Sequence, residues 1–390
     1  MHTNLTCAKS GAEMVENMKK YLSIIIVFII LSYISGCTNK AETSGGNNIV
    51  KTDDKRSNTG TSIWPTKEWS TSTPEEQGLD SKMLINADKT IKDKYPNVYS
   101  LLVVRHGYLV YEKYYNRMKE NRANPVYSVT KSVMSALTGI ALREKLFNSV
   151  DQKISELLSE YFKQIDDTKK NEITIKNLLT MTGGLESIDT DYGSYFASRD
   201  WLSYTIDKPL TDNPGDKMVY NTGLPHFLSA AITKTSQMTT KDFANQYLAS
   251  QIGISLDKWE CDPKGYYVGG TNLSMTPVDM AKFGYLYLKK GLWDGKQIIP
   301  KEWIEASTQK QITVDKVQDY GYLFWLRTIK DKVHNKDYFT YRADGYGGQI
   351  IIVIPDLDMV SVITANSDQT FNEKQPTIDI IADYIIPAVK

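Results

Sequence analysis

Three serines in this chain stand three residues before a lysine: Ser128 before Lys131, Ser255 before Lys258 and Ser307 before Lys310. A serine with an amine one helical turn away can act as a nucleophile if the amine is neutral and takes the hydroxyl proton. The spacing does not choose among the three, so the surroundings decide. Ser255 lies among Asp257, Lys258 and Glu260, and Ser307 lies in a polar stretch; a lysine in either place stays hydrated and charged. Ser128 instead opens Ser128–Leu142, a run that is apolar nearly all round (Val129, Val133, Met134, Ala136, Leu137, Ile140, Ala141, Leu142). That pattern predicts a helix buried in the middle of the protein. Its N-terminus favours negative charge developing on the hydroxyl. Burial lowers the pKa of Lys131 and fits it to act as a base. The competing reading makes Ser128 a plain helix cap and lets Lys131 reach water along its stem.

Further runs bear on that choice. They are Ile173-Thr174-Ile175-Lys176-Asn177-Leu178-Leu179-Thr180-Met181-Thr182-Gly183-Gly184-Leu185, Pro214-Gly215-Asp216-Lys217-Met218-Val219-Tyr220-Asn221-Thr222-Gly223, and Met275-Thr276-Pro277-Val278-Asp279-Met280-Ala281-Lys282-Phe283-Gly284. With Ser128-Val129-Thr130-Lys131 in front, their order resembles the class C β-lactamase and penicillin-binding-protein superfamily of serine hydrolases, from about Trp69 to the C-terminus. The run Gly345-Tyr346-Gly347-Gly348-Gln349 places the resemblance nearest the family VIII esterases and aminohexanoate-oligomer hydrolases.

The resemblance implies roles. Tyr220 matches the tyrosine of a Y-x-N motif that shares proton transfer with the lysine, losing its own proton readily beside it. The third position of that motif is Thr222, with Asn221 one place early as the candidate substrate contact. The place of a K-T-G motif is taken by Ala343-Asp344-Gly345. The oxyanion donors then fall on the backbone N–H groups of Ser128 and Tyr346. Gly345, Gly347 and Gly348 are candidates to lie close to substrate, and His226, six residues after Tyr220, is a candidate for lining the site. The motif's lysine is missing and Asp344 adds a negative charge. Both disfavour a β-lactam carboxylate and point to neutral esters or amides.

Elements must position these groups. Met83–Tyr95 has helical spacing. Val98–Val104 and Tyr108–Tyr115 read as a hairpin across Arg105-His106-Gly107. Thr276-Pro277 opens a helix within Met275–Lys290. Tyr322–Trp325, Gln349–Ile354 and Val360–Thr364 read as strands, and Ile378, Ile381, Ala382 and Ile385 as a closing helix. The expected fold class is α/β (α+β): an antiparallel sheet flanked by helices, with an inserted mainly helical lobe. The expected hydrolase domain is 64–390, with an α/β part at 64–150 and 270–390 and a lobe at 151–269.

The chain has 46 basic and 46 acidic residues among 390, a balance that offers no basic excess for nucleic acid. It contains no Cys-x-x-Cys, H-E-x-x-H or G-x-S-x-G, so no metal and no cofactor are expected. Lys19-Lys20, the apolar stretch Tyr21–Tyr33 and Ile34-Ser35-Gly36-Cys37 have the layout of a secretory signal. Its final cysteine resembles a bacterial lipoprotein signal, which implies lipidation of Cys37, a membrane lipid as partner and an extracytoplasmic, anchored location. Met18 is a better start than Met1. Residues 38–63 are polar and read as a flexible tether. The oligomeric state is left open. The function expected is hydrolysis of an ester or amide through an acyl-enzyme on Ser128. A cell-wall DD-peptidase or D-amino-acid amidase, and a non-catalytic surface binding protein, stand as alternatives.

Overall fold

The computed structural model describes residues 64–163, 165–367 and 377–390. The signal, Cys37 and the tether lie outside them. The hairpin forms from β1, Val98–Arg105, and β2, Tyr108–Tyr114. Its turn residues His106 (φ 51°) and Gly107 (φ 85°) take the left-handed backbone that a two-residue hairpin needs. Six later strands extend the sheet: β3 Ile312–Thr313, β4 Asp319–Tyr320, β5 Trp325–Asp331, β6 Lys336–Gly345, β7 Gln349–Ile354 and β8 Met359–Ala365. The order across the sheet is β2-β1-β8-β7-β6-β5-β4-β3, and each neighbouring pair is antiparallel.

The central strands are buried on both faces, and side-chain alternation divides them between two layers. Leu102 and Val104 of β1, with Ile351 and Val353 of β7, join the cluster that holds the nucleophile helix. Leu101 and Val103, with Ile350, Ile352 and Ile354, face the other layer. That second layer contains α1, Ser81–Lys94, and a C-terminal helical segment, where Thr90 donates a hydrogen bond to the Tyr384 hydroxyl at 2.9 Å. The segment is not a plain α-helix: it widens to a π-turn at Ile381–Ile385.

The nucleophile helix α2, Val129–Arg143, buries thirteen of its fifteen residues, as its apolar circumference requires. The region 151–269 is mainly helical but built of short pieces; its longest described helix is α3, Leu224–Ser236. Most of its core is shared, since Leu178, Leu228 and Phe243 pack in one cluster with Val133 of α2 and Val362 of β8, while Ile188, Tyr195, Trp201 and Val268 form a small cluster of their own. Thr276 caps α4, Pro277–Leu288, by accepting the Asp279 N–H.

One strand departs from expectation. Tyr322–Phe324 form a bend, and β5 begins only at Trp325. Leu323 takes φ 61°, donates its N–H to the Leu179 carbonyl at 2.9 Å and accepts from Ser132 Oγ at 2.7 Å. The second bond ties the bend to the nucleophile helix and the first ties it to the short helix Ile175–Leu179, instead of to the sheet. No helix among the described residues is long and apolar enough to cross a membrane.

Candidate active site

Ser128 is the N-cap residue of α2, yet its hydroxyl does not cap the helix. It lies 2.9 Å from Lys131 Nζ. Lys131 is 1% exposed, so it does not reach water. Its Nζ also sits 2.7 Å from the Gly270 carbonyl and 3.1 Å from Thr222 Oγ1. Burial lowers its pKa to about 7, against the opposing pull of the Asp189 carboxylate. A neutral amine has two N–H donors and one lone pair. The two donors match Gly270 O and Thr222 Oγ1, which leaves the lone pair for the Ser128 O–H. The other two serine–lysine spacings make no such pair. Ser255 is exposed and donates to Asp257 at 2.8 Å; Ser307 donates to the Ile304 carbonyl at 3.1 Å, while Lys310 pairs with Asp319.

Tyr220 completes the cluster. Lys131 Nζ lies 4.8 Å from its ring centroid, and its hydroxyl is hydrogen-bonded with Ser128. Burial pushes the phenol well above its usual pKa, and the bond with Ser128 only partly offsets this. The run from Met181 holds the segment in place. Val219 N–H donates to the Met181 carbonyl at 2.9 Å, and Ser187 Oγ donates to the Tyr220 carbonyl at 2.7 Å. Gly184 lets the 210–213 backbone approach the same run: at φ 74°, a Cβ there would lie 2.3 Å from the Asp212 carbonyl.

The glycine-rich run divides into two parts. Gly345 ends β6 where a Cβ would fall 2.2 Å from the Val126 carbonyl, so the strand closes tightly on the segment leading to Ser128. This brings Tyr346 to the cleft. Among the described residues, neither the Ser128 nor the Tyr346 N–H donates to a protein acceptor. Gly347 and Gly348 do not line the cleft. They take φ 78° and 97° in the β6–β7 turn, where Gly348 N–H donates to Gly345 O at 3.3 Å.

Two further expected contacts lie elsewhere. Asn221 is fully buried: its amide donates to the Glu186 carbonyl and accepts the Gly223 N–H, so it closes a loop. Thr222 faces Lys131 in its place. His226 is also fully buried. Its Nε2 lies 3.1 Å from Asp262 Oδ2, and its Nδ1 accepts the Gly269 N–H. That bond steadies the bend whose Gly270 carbonyl holds Lys131.

Sequence reasoning missed several groups. Asp189 accepts the Thr222 N–H at 2.8 Å and the Thr222 hydroxyl at 3.1 Å, which aims that oxygen's lone pairs at Lys131. Arg342, Gln318, Trp325 and Tyr192 line the cleft, which encloses about 380 Å³. Alternation along β6 could have flagged Arg342, two places before Asp344 on one strand face. Two larger clefts, beside Lys310–Phe339 and Lys67–Lys282, do not include Ser128. No group of three His, Cys, Asp or Glu among the described residues could hold a metal.

Residues 90–384 match the profile of a family described as Beta-lactamase. An uncharacterized protein of Alkalihalophilus pseudofirmus is 22% identical over 302 residues, 69% of this chain and 83% of that one. A Bacillus anthracis protein assigned as a 6-aminohexanoate-dimer hydrolase superposes with a TM-score of 0.63 at 20% identity, covering 77% of this chain and 80% of that one. EstCE1, a hydrolase with promiscuous acyltransferase activity, superposes with a TM-score of 0.64 at 15% identity, covering 78% and 98%. These solved structures share the fold: a large antiparallel sheet flanked by helices.

Proposed function

The chain belongs to the Beta-lactamase family, and from that premise we propose that it is a serine hydrolase that cleaves an ester or amide through an acyl-enzyme on Ser128. The observation that carries this reading is the buried Lys131 Nζ lying 2.9 Å from Ser128 Oγ; once neutral, that amine offers its lone pair to the serine proton. Ser128 Oγ attacks the carbonyl carbon while Lys131 takes its proton. The oxyanion lies between the N–H groups of Ser128 and Tyr346. The sequence pattern made Tyr220 a proton acceptor; its raised pKa supports the opposite first role. It donates its proton to the leaving group and regains one from the Lys131 ammonium. The carbonyl–oxygen or carbonyl–nitrogen bond breaks and the acyl group stays on Ser128. A water then attacks, Lys131 takes its proton, and the acid leaves as Ser128 is reprotonated. The esterase-like and amide-cleaving names among the structural neighbours support both bond types.

Purified residues 38–390 are expected to turn over p-nitrophenyl butyrate at a rate well above buffer and to leave nitrocefin nearly untouched. Absence of turnover across a panel of neutral esters and amides would sink the proposal. Preferential labelling by a fluorescent penicillin would favour the cell-wall peptidase instead.

The place of action is proposed from the Ile34-Ser35-Gly36-Cys37 layout. Lipidated at Cys37, the domain works outside the cytoplasmic membrane at the end of its tether. Cys37→Ser is expected to abolish incorporation of labelled palmitate in a bacterial host and to shift the protein from the membrane fraction. Equal labelling of both proteins would contradict it.

A further inference from the structure

Arg342 is the only cationic side chain among the described residues lining the Ser128 cleft, and Asp344 the only anionic one. They stand two places apart on β6 and hence on one strand face. Arg342 Nε donates to Asp344 Oδ2 at 3.0 Å, and its Nη2 donates to Gln318 Oε1 at 2.5 Å. The guanidinium lies 5.8 Å over the Trp325 ring, and Trp325 stacks on Tyr220 at 5.8 Å. The cation is therefore one aromatic layer from the phenol beside the nucleophile.

A free guanidinium at that place would take a substrate carboxylate by paired hydrogen bonds. Here its Nε is occupied and its charge is cancelled. The Arg342 side chain is 5% exposed and that of Asp344 is 24% exposed. An incoming anion thus meets the carboxylate before the guanidinium, and like charges repel. Burial raises the Asp344 pKa, and the Arg342 guanidinium beside it offsets part of that rise.

We propose that Asp344 is a specificity latch: by holding Arg342 it excludes substrates with a carboxylate near the scissile bond and restricts the site to uncharged acyl and leaving groups. Missing cationic chemistry is not what turns such substrates away. The cation is present and occupied. This inference rests on Ser128 being the nucleophile, and it names the substrate class of that same site.

The test compares two p-nitrophenyl esters of equal acyl length, the neutral butyrate and the anionic half-ester of succinic acid. The quantity read is the ratio of kcat/KM for the anionic ester to that for the neutral one. Asp344→Asn, which keeps the side-chain shape, is expected to raise the ratio about tenfold, since it leaves a charged donor free for the succinyl carboxylate. Adding Arg342→Met, which keeps the volume over Trp325, is expected to remove that gain. An unchanged ratio in Asp344→Asn overturns the proposal. So does a raised ratio that survives Arg342→Met, because repulsion by Asp344 alone would then explain it. Ser128→Ala, assayed alongside, separates the two levels. Turnover that persists without Ser128 overturns the underlying reading, whereas an unmoved ratio with Ser128-dependent turnover overturns only the latch.

Discussion

Ser128→Ala is expected to lower kcat/KM for p-nitrophenyl butyrate by about 10⁴-fold or more, with thermal stability unchanged. The two halves of this result come from one geometric fact. An ordinary N-cap serine loses about 1 kcal/mol of stability on conversion to alanine, because its oxygen accepts a helix N–H. The Ser128 hydroxyl makes no such bond. Its described partners are Lys131 and Tyr220, both of which the proposed mechanism uses. Removing it therefore costs chemistry and not helix structure. Thermal unfolding beside steady-state kinetics checks both halves. A large fall in Tm with a proportionate fall in activity would return Ser128 to the role of a cap.

Lys131→Met is expected to cost about 10³-fold in kcat/KM, the usual reach of a general base. In the wild-type enzyme kcat/KM should rise as pH increases through about 7, where burial places the Lys131 pKa, because the amine accepts a proton only when neutral. The substitution should remove that limb from whatever activity remains. It also has a stability signature. Above about pH 7 the folded amine is neutral, while an unfolded lysine stays protonated up to its ordinary value of 10.5. Unfolding in that window takes up a proton, so this group makes stability rise with pH by up to roughly 1.4 kcal/mol per unit. Its penalty is greatest at and below pH 7. Lys131→Met lifts the penalty but loses hydrogen bonds to Gly270 and Thr222 worth about 1 kcal/mol each. At pH 7 the variant should melt no lower than the wild type, and the advantage should shrink toward pH 10. A Tm that falls sharply at pH 7 would show that Lys131 holds the fold and not the chemistry.

What could be read from the sequence depended on how far apart the interacting residues are. The nucleophile helix was legible because burial on every side leaves an apolar circumference, and a single lysine stands out on it three places after Ser128. The hairpin was legible because its turn carries its own signature at His106-Gly107. Contacts that only the folded chain creates were not. Asp189 reaches Thr222 across thirty-three residues, and the Gly270 carbonyl reaches Lys131 across a hundred and thirty-nine. Asn221 was favoured over Thr222 because the motif wants an asparagine, but a shift of one residue in a turning backbone reverses which side chain faces the lysine. His226 was close to Tyr220 in sequence only; α3 aims it at Asp262 and Gly269. Arg342 stands one place before the position that the motif's missing lysine would fill, so the motif carries no signal for it. The strand's alternation puts Ala343 in the core and the neighbouring arginine in the cleft.

The central claim is that the acyl group passes through Ser128. Its most direct test is acid-quenched turnover of p-nitrophenyl butyrate by the purified domain, read by intact-protein and peptide mass spectrometry. The predicted result is a gain of one butyryl group on the peptide carrying Ser128, absent from Ser128→Ala. Hydrolysis at full rate with the adduct on Ser255, Ser307 or another side chain would contradict it.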